Sequence, residues 1–198
     1  RKKEVIDTFL FFEKNFPETK FNVGISGGDI SVAPYKEELF EILFRNNWHT
    51  NFMTNAAIYC EEISQLMKEG KAEMLVTLDT TVPELYHKCK GINALPKVME
   101  NLRQYAKNGR VILKWIVLDG IYHDFSEIKG IVDFAKEIGA LLCLSCNTYT
   151  VEERLSEEAF LLTRRFIQYT QEKQVFLTVY WDHFHKEDSK RLREELGI

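Results

Sequence analysis

Apolar positions along the chain alternate between two periods. Phe21 to Ser26 is a short β-like run, and from Tyr35 the spacing of Leu39, Ile42 and Leu43 puts three apolar side chains on one helical face. Thr50 to Met53 is the next extended run, followed by a helix from about Tyr59 with Ile63, Leu66 and Met67 aligned. Met74 to Leu78 reads as a third strand, and a longer helix after it carries Leu95, Val98, Met99 and Leu102 at helical spacing. Val111 to Leu118 is a fourth strand. Its helix aligns Ile128, Ile131, Val132 and Ala135 with Ser126 as N-cap. Ala140 to Ser145 is a fifth strand, after which Thr150 and Glu153 form a capping-box pattern opening a helix to about Glu172. Val175 to Trp181 is a sixth strand and Glu187 to Leu196 a closing helix.

The strands begin near residues 21, 50, 74, 110, 140 and 175. Units of roughly 25–35 residues suit right-handed strand–helix–strand crossovers, and near-continuous apolar strands suit a parallel sheet covered by helices. The expected fold class is therefore α/β with parallel strands. No linker or low-complexity stretch divides the chain, so residues 1–198 are expected to form one domain. A front helix, Lys3 to Lys14, has no strand before it, and the pattern begins in mid-unit. Phe9, Leu10, Phe11 and Phe12 cover nearly half of that helix, which suits a position between the sheet and a further element.

Composition narrows the function classes. The chain has 198 residues, short of the ~250 of a closed eight-fold β/α barrel. Its net charge of −4 argues against a bulk nucleic-acid binder, which needs basic excess to displace counterions. No apolar run approaches the ~20 residues of a membrane span. Arg1-Lys2-Lys3 leads into no signal-peptide core, so a natural front end is expected before residue 1 and a cytoplasmic location is inferred. Four cysteines, Cys60, Cys89, Cys143 and Cys146, are too few for a disulfide scaffold. Cys143 and Cys146 lie three apart on a strand, hence on opposite faces, and should not chelate one metal together.

Parallel α/β folds place binding groups at the carboxyl ends of strands. Those ends read Ser26-Gly27-Gly28-Asp29, Thr54-Asn55, Thr77 with Asp79-Thr80-Thr81, Asp119, Asn147 and Asp182-His183. Each could cap the following helix; taken together they point to a site rich in acceptors for hydroxyl and ammonium groups. Gly27-Gly28 would let a ligand approach the backbone, while no phosphate-binding glycine motif follows. His183 and His185 would share a strand face but lack a third ligand. Lys114 on the fourth strand is either a Schiff-base lysine or a snorkelling side chain.

In this order and spacing, the motifs from Phe21 to Asn147 resemble those of the radical S-adenosylmethionine superfamily. Ser26-Gly27-Gly28-Asp29 looks like its Gly-Gly-Glu motif with Asp for Glu, and Thr54-Asn55 like its Thr-Asn-Gly with Ala56 for Gly. Thr77-Leu78-Asp79 looks like its Ser-hydrophobic-Asp, and Tyr86 to Gly91, followed by Val98 to Leu102, is similar to its His-Asp-x-x-Arg-Gly segment and the helix behind it. The resemblance implies a partial (β/α)6-type barrel lacking its first strand, with a barrel core at 21–147 and a terminal extension at 148–198. It implies that Gly27, Gly28 and Asp29, with Ser26, meet the methionyl amino group of S-adenosylmethionine. Thr77, beside Asp79, would bond the ribose or carboxylate, and Lys90 would pair with the methionyl carboxylate; Asn55 and Asn147 complete the set. It also implies a [4Fe–4S] cluster whose Cys-x-x-x-Cys-x-x-Cys ligands are expected upstream of Arg1, since no cysteine here has that spacing. The expected activity is reductive cleavage of S-adenosylmethionine and hydrogen abstraction by a 5′-deoxyadenosyl radical. A peptide substrate and a flavodoxin- or ferredoxin-like electron donor would be its partners. The alternatives are a cluster-free β/α-barrel lyase or aldolase, and a degenerate nucleoside-binding module without catalysis.

Overall fold

The computed structural model describes residues 2–26, 29–147 and 152–198. Six strands form one sheet in sequential order, every neighbouring pair parallel. They are β1 (Asn22–Ile25), β2 (His49–Thr54), β3 (Ala72–Thr77), β4 (Val111–Val117), β5 (Leu141–Cys146) and β6 (Leu177–Val179). Around them run α1 (Lys2–Asn15), α2 (Lys36–Arg45), α3 (Glu61–Lys68), α4 (Pro83–Lys90), α5 (Leu95–Ala106), α6 (Ser126–Ile138), α7 (Glu157–Glu172) and α8 (Lys186–Leu196). Sequential order with crossovers of one hand puts the crossover helices on a single face, as in a barrel that has not closed.

The strand side chains sort accordingly. Phe52, Met74, Val76, Leu113 and Trp115 are fully buried against the helices, Phe52 beside Phe40 of α2 at 5.8 Å and Trp115 beside Phe166 of α7 at 4.4 Å. The alternate residues Met53, Leu75, Thr77, Ile112 and Lys114 point to the concave face and stay partly open. α1 packs through Phe9 on Trp48 and Phe12 on Phe21, and Arg45 of α2 grips Glu13 with two nitrogens at 2.6 and 2.7 Å. Leu10 and Phe11 remain exposed.

Several sequence expectations are corrected. The helix before β4 is two helices, α4 and α5, broken at Gly91, whose φ of 73° ends α4. Ser126 is the first residue of α6 rather than its cap: the Asp124 carboxylate accepts from its amide, and Glu127 folds back to the amides of His123 and Asp124. α7 begins at Glu157, capped by Ser156; Thr150 of the anticipated capping box lies outside the described residues. β6 spans three residues, because Gln174 turns at a φ of 56° and the chain enters a 3₁₀ turn at Trp181–His183. His183 and His185 therefore share no strand face; His185 instead caps α8 by accepting from the Glu187 amide.

Candidate functional site

The carboxyl ends of β1 to β4 surround a cleft of about 410 Å³ lined by Asp29, Met53, Thr54, Asn55, Leu75, Thr77, Lys90 and Lys114. Asp29 follows the β1 loop and is held from two sides. One carboxylate oxygen accepts from the Ser31 amide at 3.0 Å, capping the 3₁₀ turn Ile30–Val32; the other accepts from the Thr54 hydroxyl at 3.1 Å. Two bonds leave a carboxylate with acceptor capacity for a ligand. Thr54 Oγ1 also accepts from the Ala56 amide, and the Asn55 side chain accepts from the Ala57 amide at 2.8 Å. Ala56 is buried at a φ of 56°, a left-handed conformation at the position where the resembled motif carries Gly. Asn101 of α5, itself buried, donates to the carbonyls of Ala56 and Ala57 at 2.9 and 3.3 Å, which fixes this strained turn.

Thr77 ends β3 directly opposite Lys114 on β4. Just beyond it, Asp79 is nearly buried and forms an ion pair with Lys90 at 2.6 Å. The segment after Asp79 leans on α6: Thr80 donates to the Glu127 carbonyl, and a Cβ at Gly130 would lie 1.8 Å from the Thr81 hydroxyl oxygen. The absence of a side chain at Gly130 thus leaves room for Thr81 in this orientation against α6.

The cleft therefore brings together Asp29, Asn55, Thr77 and Lys90, with Asp79 joined through Lys90. Ser26 is exposed at the end of β1, where the pairing of Ile25 with Phe52 sets it beside Met53. Gly27 and Gly28 lie outside the described residues. Asn147 lines a different hollow of about 370 Å³ with Asp119, Glu153 and Arg154. The sequence alone offers Lys114 only as a Schiff-base or snorkelling residue. Counting alternate positions from Thr77 across to β4 is the signal that places it in the same cleft.

Behind Lys114, Cys143 of β5 and Tyr180 occupy the same concave face. Burial pushes the Cys143 thiol up, with Tyr180 and Lys114 pulling it partly back; the proximity of Cys143, then burial, pushes the Tyr180 phenol up. Nearby, His183 Nδ1 lies 2.7 Å from Ser145 Oγ. The four cysteines are free, with Cys60, Cys143 and Cys146 buried. Cys146 turns to the helix side near the Val117 carbonyl, away from Cys143. Among the described residues no three His, Cys, Asp or Glu side chains gather to hold a metal, so these cysteines do not fit an iron–sulfur cluster. No described helix is long and apolar enough to cross a membrane.

A sequentially ordered parallel sheet, helices on one side and a polar cleft at the strand ends give the chain the partial-barrel fold of the radical S-adenosylmethionine enzymes, as its motifs led us to expect. Among solved structures it superposes on SuiB of Streptococcus suis bound to the precursor peptide SuiA, with a TM-score of 0.68 and 12% identity over 90% of this chain and 42% of SuiB. A radical SAM methyltransferase from Sphaerobacter thermophilus gives a TM-score of 0.63 at 16% identity, covering 90% of this chain and 55% of the other. At the level of sequence, a Thermococcus kodakarensis protein described as "Probable GTP 3',8-cyclase" is 29% identical over 126 residues, 62% of this chain and 39% of that protein. The chain thus spans well under two thirds of these relatives. No family model matches it.

Proposed function

We propose that this chain is the cofactor-binding core of a radical S-adenosylmethionine enzyme. One observation carries the reading: the acceptors Asp29, Asn55 and Thr77, from three separate strand ends, line one cleft with two lysines. An ammonium group needs carboxylate or carbonyl acceptors, and the free lone pairs of Asp29 supply them for a methionyl amino group. Thr77 offers a hydroxyl for the ribose or carboxylate. SuiB has been solved with S-adenosylmethionine, which supports this ligand for the same fold. When bound and reduced at a [4Fe–4S] cluster, S-adenosylmethionine supplies a 5′-deoxyadenosyl radical for hydrogen abstraction. In this reading the cluster ligands come from outside residues 1–198, and a flavodoxin- or ferredoxin-like protein is the electron donor. The peptide complex of SuiB supports a peptide or protein substrate.

Calorimetric titration with S-adenosylmethionine tests the reading. Asp29→Ala and Thr77→Ala should each weaken binding about 10-fold, the value of one charge-assisted or buried hydrogen bond. Unchanged affinity in both variants would refute it.

A further inference from the structure

We infer that Lys114, rather than Lys90, takes the methionyl carboxylate of the cofactor; the inference rests on the S-adenosylmethionine reading above. The cleft holds two ammonium groups and they are not equivalent. Lys90 Nζ sits 2.6 Å from Asp79, whose side chain is only 4% exposed. Drawing Lys90 onto a ligand would strand a buried carboxylate, and such a group is costly to leave unpaired. Lys90 is thus committed to holding Asp79 in place.

Lys114 has no such commitment. Among the described residues no carboxylate lies within ion-pair distance of it, and its ammonium rests over the Tyr180 ring at 5.6 Å. It is half-buried, faces the concave side and stands in register with Thr77, so its charge belongs to the cleft. Asp29 is anchored to Thr54 at the end of β2, two strands from β4, which is about 10 Å at the usual strand spacing. An amino group and a carboxylate on one carbon, each making a charge-assisted bond of ~2.8 Å, span roughly 8 Å between their protein partners. Both residues line the one cleft with Thr77 between them, and a swing of the flexible lysine stem from Tyr180 toward β3 would let Asp29 and Lys114 hold the two ends of the same methionyl group. A lysine holds a carboxylate as a point charge without the two-pronged geometry of arginine, so the discrimination expected is moderate.

The test compares S-adenosylmethionine with decarboxylated S-adenosylmethionine on the wild-type chain, Lys114→Met and Lys90→Met, by calorimetry or ligand-observed NMR. Wild type should favour the carboxylated form by about 10-fold. Lys114→Met should bind both forms alike, at the affinity wild type shows for the decarboxylated one. Lys90→Met, where folded by circular dichroism, should keep the preference. The wild-type comparison of the two ligands needs no variant to fold. Equal binding of the two forms by wild type, or an undiminished preference in Lys114→Met, would overturn this assignment while leaving the cofactor reading intact. Failure of wild type to bind S-adenosylmethionine at millimolar concentration would overturn both.

Discussion

Met74 and Leu75 are adjacent on β3 and live in opposite environments. Met74 is fully buried between the sheet and its helices, whereas Leu75 lines the open cleft. The same division runs across the sheet. On the helix side Phe52, Val76, Leu113 and Trp115 form a continuous apolar layer, and on the concave side Thr77, Lys114, Cys143 and Tyr180 mix charge, thiol and phenol. One set of strands thus carries two surfaces under different constraints. The helix side must fill space at crystal-like density, and the concave side must leave space and hold polar groups ready.

The largest expected effect sets these two faces directly against each other. Met74→Ala should cost about 2–5 kcal/mol, because the fully enclosed site leaves a cavity that its neighbours fill poorly. Leu75→Ala should cost no more than about 1 kcal/mol, since the side chain already touches solvent. Urea denaturation of the pair measures both. Equal losses would show that the concave face is packed in solution and that the cleft is not open.

A smaller effect follows from a thiol on the helix side. Cys60 precedes α3 in full burial, and that burial, with a minor contribution from Glu62, raises its pKa from 9.0 to about 11. The folded state therefore keeps the proton through a range in which the unfolded chain loses it. Stability from this group is complete below pH 9 and is lost as pH rises to about 11, amounting to roughly 2–3 kcal/mol. The stability advantage of wild type over Cys60→Ala should shrink by that amount between pH 9 and 11, measured by denaturant titration. A constant difference would mean that the thiol is solvated.

The helix-side layer was the legible part of the sequence. β1 to β5 fall within two residues of the runs expected from apolar spacing, since burial on that face follows a local period. Helix starts were less legible. Ser126 reads as a cap and Thr150 with Glu153 as a capping box, yet Ser126 is the first residue of α6 with its amide held by Asp124, and α7 takes its cap from Ser156, which Asp119 holds from another loop. The motif order led to one cleft for Asp29, Asn55, Thr77 and Lys90, because strand ends of a parallel sheet gather on one rim. Pairing within the cleft was hidden. Asp79 and Lys90 meet only because α4 returns its last turn to the rim, and Lys114 enters through strand register rather than a motif.

The smallest effect concerns that rim outside the cleft, where an acidic residue braces a helix cap. Asp119 follows β4 at the carboxyl rim of the sheet, and both of its carboxylate oxygens are engaged by Ser156. One accepts from the Ser156 amide at 2.7 Å and the other from its hydroxyl at 2.6 Å. That hydroxyl in turn accepts from the Ala159 amide at 3.2 Å, satisfying one of the orphan donors of α7. Ser156→Ala should therefore cost about 1 kcal/mol, the usual value of a helix cap. Asp119→Ala should cost a similar amount through the same cap, and the double variant should cost little more than either single one, because the pair acts as a unit. Neither variant should alter affinity for S-adenosylmethionine, unlike Asp29→Ala, because Asp119 lines a different hollow from the cleft that Asp29 lines. Additive losses in the double variant, or weakened cofactor binding in Asp119→Ala, would show that this rim carboxylate belongs with the binding groups rather than with the scaffold.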